Sequence, residues 1–117
     1  MKQIYIVEDD NGIRELLEYL LSSADYSVAS FPTAEAFRKS IALQQPDLIL
    51  MDIMLPDGNG LDLCRGLGEK QETNNVPVVL MSAHANLENL AENHASDFIA
   101  KPFDIEELLL KIQQQLR

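Results

Sequence analysis

The chain has 117 residues and a mass of 13.1 kDa, enough for one hydrophobic core but not for a second domain. Nineteen Asp and Glu against nine Lys and Arg give a formal charge of −10. That is the wrong sign for neutralising nucleic-acid phosphates, so direct nucleic-acid contact is not expected. The single cysteine, Cys64, excludes an internal disulfide, and no apolar run is long enough to span a bilayer. Met1-Lys2-Gln3 leads straight into a strand pattern rather than a secretory signal, and together these features favour a reducing cytoplasm.

The first apolar run, residues 3–7 (QIYIV), reads as a strand. In the helix predicted after it, Ile13, Leu16, Leu17, Leu20 and Leu21 keep the i, i+3, i+4, i+7, i+8 spacing of a buried stripe, with Arg14, Glu15 and Glu18 turned outward. Residues 26–30 (YSVAS) give the second strand. Pro32 then precedes a helix over 33–43 that points Ala34, Phe37 and Ile41 inward. Residues 47–51 (DLILM) form the third strand, and a helix starting near Gly60 buries Leu61, Cys64 and Leu67. The fourth strand is 77–82 (PVVLMS). Residues 86–94 carry a narrow stripe of Leu87, Leu90 and Ala91, which predicts a short helix. The fifth strand is 97–100 (DFIA). Asp104 with Glu107 makes a capping-box start for the last helix, whose stripe is Ile105, Leu108, Leu109, Ile112 and Leu116.

Five strands alternating with five helices through short connections imply an α/β, three-layer (βα)5 fold, a doubly wound parallel sheet covered by helices on both faces. The first and third strands are apolar on both sides and belong in its centre. In such sheets, ligands bind outside the carboxyl ends of the strands, where strand order reverses. This places Glu8, Asp9 and Asp52 together. At roughly 4 Å and an effective dielectric of about 20, each pair of like charges costs about 4 kcal/mol, a large part of the ~5–15 kcal/mol that stabilises a domain. A counter-charge is therefore expected, and oxygen donors without a neighbouring thiol or imidazole suit a hard cation such as Mg²⁺. Asp10 is read instead as a helix cap.

Ser82 closes the fourth strand and Lys101 the fifth, so a hydroxyl and an ammonium join the same edge. A phosphoryl group in transfer needs such partners, and Asp52 is the natural carboxylate nucleophile. His84 and His94, in polar loops, are read as solvent-facing, and Cys64 as a small core residue.

With these residues in place the chain resembles the receiver domain of two-component response regulators over essentially its whole length. "VEDD" at 7–10 looks like the acidic pair, "LILMDIMLPDGNG" at 48–60 the phosphoacceptor loop, "VVLMSA" at 78–83 the hydroxyl segment and "DFIAKPF" at 97–103 the lysine segment. The resemblance implies a flavodoxin-like strand order 2-1-3-4-5 and a single receiver domain over 1–117 with no effector domain. It also implies a signalling phosphoacceptor rather than an enzyme acting on a separate substrate. Asp52 would take a phosphoryl group from a histidine kinase or histidine phosphotransfer protein. Asp9, Asp52 and the Met54 carbonyl would bind Mg²⁺, with Glu8 acting through water. Ser82 and Lys101 would hold phosphate oxygens, Ser82 and Phe98 would switch on activation, and the Lys101-Pro102 bond would be cis. The face built from the fourth helix, fifth strand and fifth helix would serve a homodimer or an effector domain.

Glu8 for Asp, Ser82 for Thr and Phe98 for Tyr are variants within the family pattern. The segment from Ser82 to Lys101 is a few residues short, and His94-Ala95 stands where Gly-Ala is common. A flavodoxin-like cofactor module would need a phosphate-cradling first loop where "EDDNG" stands. A phosphatase would need a general acid next to Asp52. The remaining alternative is a degenerate receiver that binds partners without being phosphorylated.

Overall fold

Side chains on a strand point alternately to opposite faces, and the central strands here use that alternation to feed two separate cores. The computed structural model describes residues 1–83 and 94–117. Its elements are β1 (Gln3–Val7), α1 (Asn11–Ser23), β2 (Ser27–Phe31), α2 (Ala34–Leu43), β3 (Leu48–Asp52), β4 (Met54–Leu55), β5 (Gly58–Asn59), α3 (Gly60–Glu69), β6 (Val78–Ser82), β7 (Asp97–Ala100) and α4 (Ile105–Gln115). The main sheet is parallel with the order β2-β1-β3-β6-β7, which is the expected 2-1-3-4-5 order; β4 and β5 form a separate antiparallel pair.

On one face Ile4 and Ile6 of β1, Leu48 and Leu50 of β3, and Val79 and Met81 of β6 meet Leu17 and Leu21 of α1 and Leu108 and Ile112 of α4. On the other, Tyr5, Val7, Ile49, Met51, Val78, Leu80 and Phe98 meet Ala34 and Phe37 of α2 and Cys64 and Leu67 of α3. Phe31 extends this second core, its ring edge-on to Tyr5 at 5.0 Å and to Phe37 at 6.3 Å. Every residue of β3 and β6 is buried, as a strand covered on both sides must be. Burial in the second core pushes the Cys64 thiol up to about 12.

Local signals set the helix starts. Asp10 caps α1 by accepting from the Ile13 N–H at 2.9 Å, Thr33 caps α2, Asn59 caps α3, and Asp104 caps α4 by accepting from the Glu107 N–H at 3.1 Å. The predicted helix over 33–43 thus begins at Ala34, with Thr33 as its cap.

The helical stripes are narrower than their sequence periodicity implies. Leu16 is 45% exposed and Ile105 44%, because the sheet covers only the middle of each stripe and these residues lie at its flank. Leu61 is half-buried against the second core. Arg14 and Glu18 do not turn outward. Arg14 folds back onto the loop after β1, and Glu18 accepts a hydrogen bond of 2.6 Å from the Ser30 hydroxyl. His94 is half-buried rather than solvent-facing, and its Nε2 donates to the Asn74 carbonyl at 2.9 Å. Its φ of 68° is the left-handed conformation that glycine adopts most readily. The ring covers Gly68 so closely that a Cβ there would lie 2.4 Å from His94 Cγ. The predicted helix over 86–94 and His84 fall outside the described residues, His94 excepted.

Gly60 is fixed by a close approach. Its N–H donates to the Ile53 carbonyl at 2.7 Å, and a Cβ would sit 2.3 Å from the Asp52 carbonyl oxygen. Gly60→Ala must push the segment after β3 away from the strand end, and urea unfolding is expected to show a loss of roughly 1–3 kcal/mol.

Candidate functional site

The register of the central strands carries four polar residues to one edge. Val7 pairs with Met51, Asp52 with Met81, and Ser82 with Ala100, so Glu8, Asp52, Ser82 and Lys101 emerge side by side where the apolar strands end. The crossover between β1 and β3 is the point at which strand order reverses. The Glu8 N–H is held by the Phe31 carbonyl at 3.0 Å, and the Lys101 N–H by the Ser82 carbonyl at 2.9 Å, so ladder bonds fix both backbones. The Lys101-Pro102 bond is cis.

Glu8 is 1% exposed and Asp52 7%, burial that a carboxylate tolerates only with partners. Lys101 supplies one to both: its ammonium donates to Glu8 Oε1 and, at 2.7 Å, to Asp52 Oδ2. The remaining oxygens take backbone donors, Asp52 Oδ1 from the Met54 N–H at 3.0 Å and Glu8 Oε2 from the Asp10 N–H at 3.2 Å. Asp9 is exposed at the rim, yet one carboxylate oxygen from each of Glu8, Asp9 and Asp52 lies within 4.8 Å of the others. Three acids face one ammonium, and the excess negative charge, offered through oxygen alone, fits a hard cation.

Burial lifts the Glu8 carboxyl above the usual carboxylate range, against the hydrogen bonds from Lys101 and Asp10, with the Asp52 charge adding to the lift. Burial alone would lower Lys101. The hydrogen bonds to Asp52 and Glu8 outweigh it and hold the ammonium above the ordinary lysine value.

The predicted residues Glu8, Asp9, Asp52 and Lys101 thus converge. Ser82 is buried at the end of β6, the Met54 backbone is tied to Asp52 while its side chain is 68% exposed, and Phe98 is buried on β7 among the residues of the second core. Two contributors to the site's geometry escaped the sequence reading. The Arg14 guanidinium binds the Glu8 carbonyl, a contact that helical periodicity alone does not reveal. Asp57, between β4 and β5, caps α2 from outside by accepting from the N–H groups of Ala34 at 2.8 Å and Glu35 at 3.1 Å. These two bonds hold its carboxyl below the usual range. Its Asp-Gly turn was visible in the sequence, but the helix end that it reaches was not.

Residues 4–113 match the response regulator receiver domain. The chain belongs to that family. It is 36% identical to the response regulator ArlR of Staphylococcus aureus over 100% of the chain and 53% of ArlR. It is 35% identical to the transcriptional regulatory protein GltR of Pseudomonas aeruginosa over 99% of the chain and 49% of GltR. The chain therefore spans about half the length of these relatives. Among solved structures, the BeF3-activated N-terminal receiver domain of Klebsiella pneumoniae RstA superposes with a TM-score of 0.86 at 35% identity, covering 98% of each chain.

In this receiver domain Lys101→Met leaves Glu8 and Asp52 facing each other without a cation. The loss expected in urea unfolding is about 3 kcal/mol, the low end for breaking a buried pair, since Lys101 retains 15% side-chain exposure. The folded-state value of Lys101 lies above the unfolded one. Its contribution is therefore complete below the unfolded value and lost as pH rises through the folded value. The difference between wild type and Lys101→Met should stay flat from neutral pH to about pH 10 and shrink above it, and it should also shrink in acid as Glu8 and Asp52 take up protons.

Proposed function

We propose that this receiver is a phosphoacceptor switch in which Asp52 takes a phosphoryl group from the phosphohistidine of a cytoplasmic histidine kinase or histidine phosphotransfer protein. The observation that carries the reading is that Asp52 belongs at once to the three-carboxylate cluster and to the Lys101 ion pair, at the sheet's switch point. Glu8, Asp9, Asp52 and the Met54 carbonyl are the groups that would hold Mg²⁺, Glu8 through water. When bound, the ion supplies positive charge to the phosphoryl oxygens.

An Asp52 oxygen attacks phosphorus as the bond from phosphorus to the donor's imidazole nitrogen breaks, and the electron pair leaves with the histidine. Lys101 shifts its ammonium from Asp52 Oδ2 toward a phosphoryl oxygen, and the Ser82 hydroxyl binds another. Both are at the edge already, so little reorganisation opposes the transfer. With Lys101 drawn away from Glu8 and Ser82 drawn to the phosphoryl group, β6 and β7 carry the change to Phe98 and to the outer face of β7 and α4. We assign that face to a homodimer or an effector domain. The relative GltR, of which this chain covers 49%, is a transcriptional regulatory protein.

Intact-mass measurement tests this reading. Wild type with Mg²⁺ and acetyl phosphate should gain one PO₃ unit, Asp52→Asn should gain none, and chelation should abolish the gain. Asp9→Ala should weaken Mg²⁺ binding with the fold retained. A wild-type protein that gains no mass is instead a receiver that binds partners without phosphorylation.

A further inference from the structure

Arg14 lies in the first turn of α1, within six residues of Glu8, Asp9 and Asp10, yet among the described residues no carboxylate lies within ion-pair distance of it. Its guanidinium is directed at backbone instead. Nη1 donates to the Glu8 carbonyl at 2.9 Å and approaches the Asp9 carbonyl at 3.5 Å, while Nη2 donates to Asn11 Oδ1 at 2.6 Å. The Arg14 N–H also donates to the Asp10 carbonyl at 2.9 Å, as the first backbone bond of α1. One half-buried side chain therefore spans the whole turn between β1 and α1. The planar fork suits this role, because its donors have fixed directions that an ammonium lacks.

We propose that Arg14 is a positioning residue for the acidic site: by clamping the carbonyls of Glu8 and Asp9 it fixes the backbone from which those two carboxylates converge with Asp52. Without the clamp, repulsion among the acids splays the turn, since Asp9 is exposed and, among the described residues, the hydrogen bond left between residues 8 and 10 is the 3.2 Å one from the Asp10 N–H to Glu8 Oε2. The inference rests on the metal-binding reading of the cluster for its functional consequence, but the clamp itself exists without a metal.

Positioning and plain charge predict opposite signs. A cation near three anions, acting only through its field, opposes Mg²⁺, so its removal would tighten binding. A clamp assists Mg²⁺, so its removal weakens binding. Arg14→Met is expected to bind Mg²⁺ roughly tenfold more weakly by isothermal titration, as for loss of a group that orients metal ligands. Arg14→Lys, which keeps the charge but loses the fork, should also be weaker than wild type, and it serves alone if Arg14→Met does not fold. In metal-free protein, both variants should speed amide exchange at Asp9, Asp10 and Asn11 measured by NMR. Unchanged exchange overturns the proposal, as does Mg²⁺ binding equal to or tighter than wild type. If wild type itself binds no Mg²⁺, the metal reading fails and the exchange rates alone decide the role of Arg14.

Discussion

The contact on which the rest of the site depends is one ammonium shared by two buried carboxylates. Lys101 comes from the end of β7, Glu8 from β1 and Asp52 from β3, so the shared ion pair ties together three strand ends that sequence separates by up to 93 residues. Neither acid is tolerable at this depth without a partner. A single cation cannot balance both of them together with Asp9. The resting site is therefore held together but left electrically short, and a further positive charge finds a place prepared for it.

The sheet explains why the pair can form at all. Alternation along β1, β3 and β6 sends apolar side chains into two cores of similar extent, which grips the central strands from both faces up to their last residues. Only beyond that grip does the chain become polar. The loop after β3 adds its own restraint through the close contact of Gly60 with the Asp52 carbonyl, and Asp57 ties the same loop to the start of α2. A site made of repelling groups is thus supported by elements that have no reason to repel.

Much of this was legible in the sequence, and for identifiable reasons. The strand ends at Val7, Asp52, Ser82 and Ala100 combine short β-branched runs with an abrupt change to polar residues, and parallel topology converts such changes into proximity. The capping role of Asp10 followed from its position alone. What was missed depends on relations between distant elements or on side-chain reach. Leu16 and Ile105 satisfy the helical period but lie beyond the area that the sheet covers. Arg14 has the period of an outward residue, yet its long chain returns to the backbone before it. His94 has the sequence context of a solvated loop residue, because nothing in the sequence says that Gly68 leaves space for its ring.

The burial of Cys64 has a practical meaning for anyone who handles this domain. A sulfur packed among Phe37, Leu67 and Leu80, its proton retained until about pH 12, offers almost no thiolate to oxidants or alkylating reagents in neutral buffer. As the sole native cysteine, it leaves the exterior chemically silent toward maleimides. A spin label or fluorophore attached through one cysteine introduced at the surface would therefore report from that position alone.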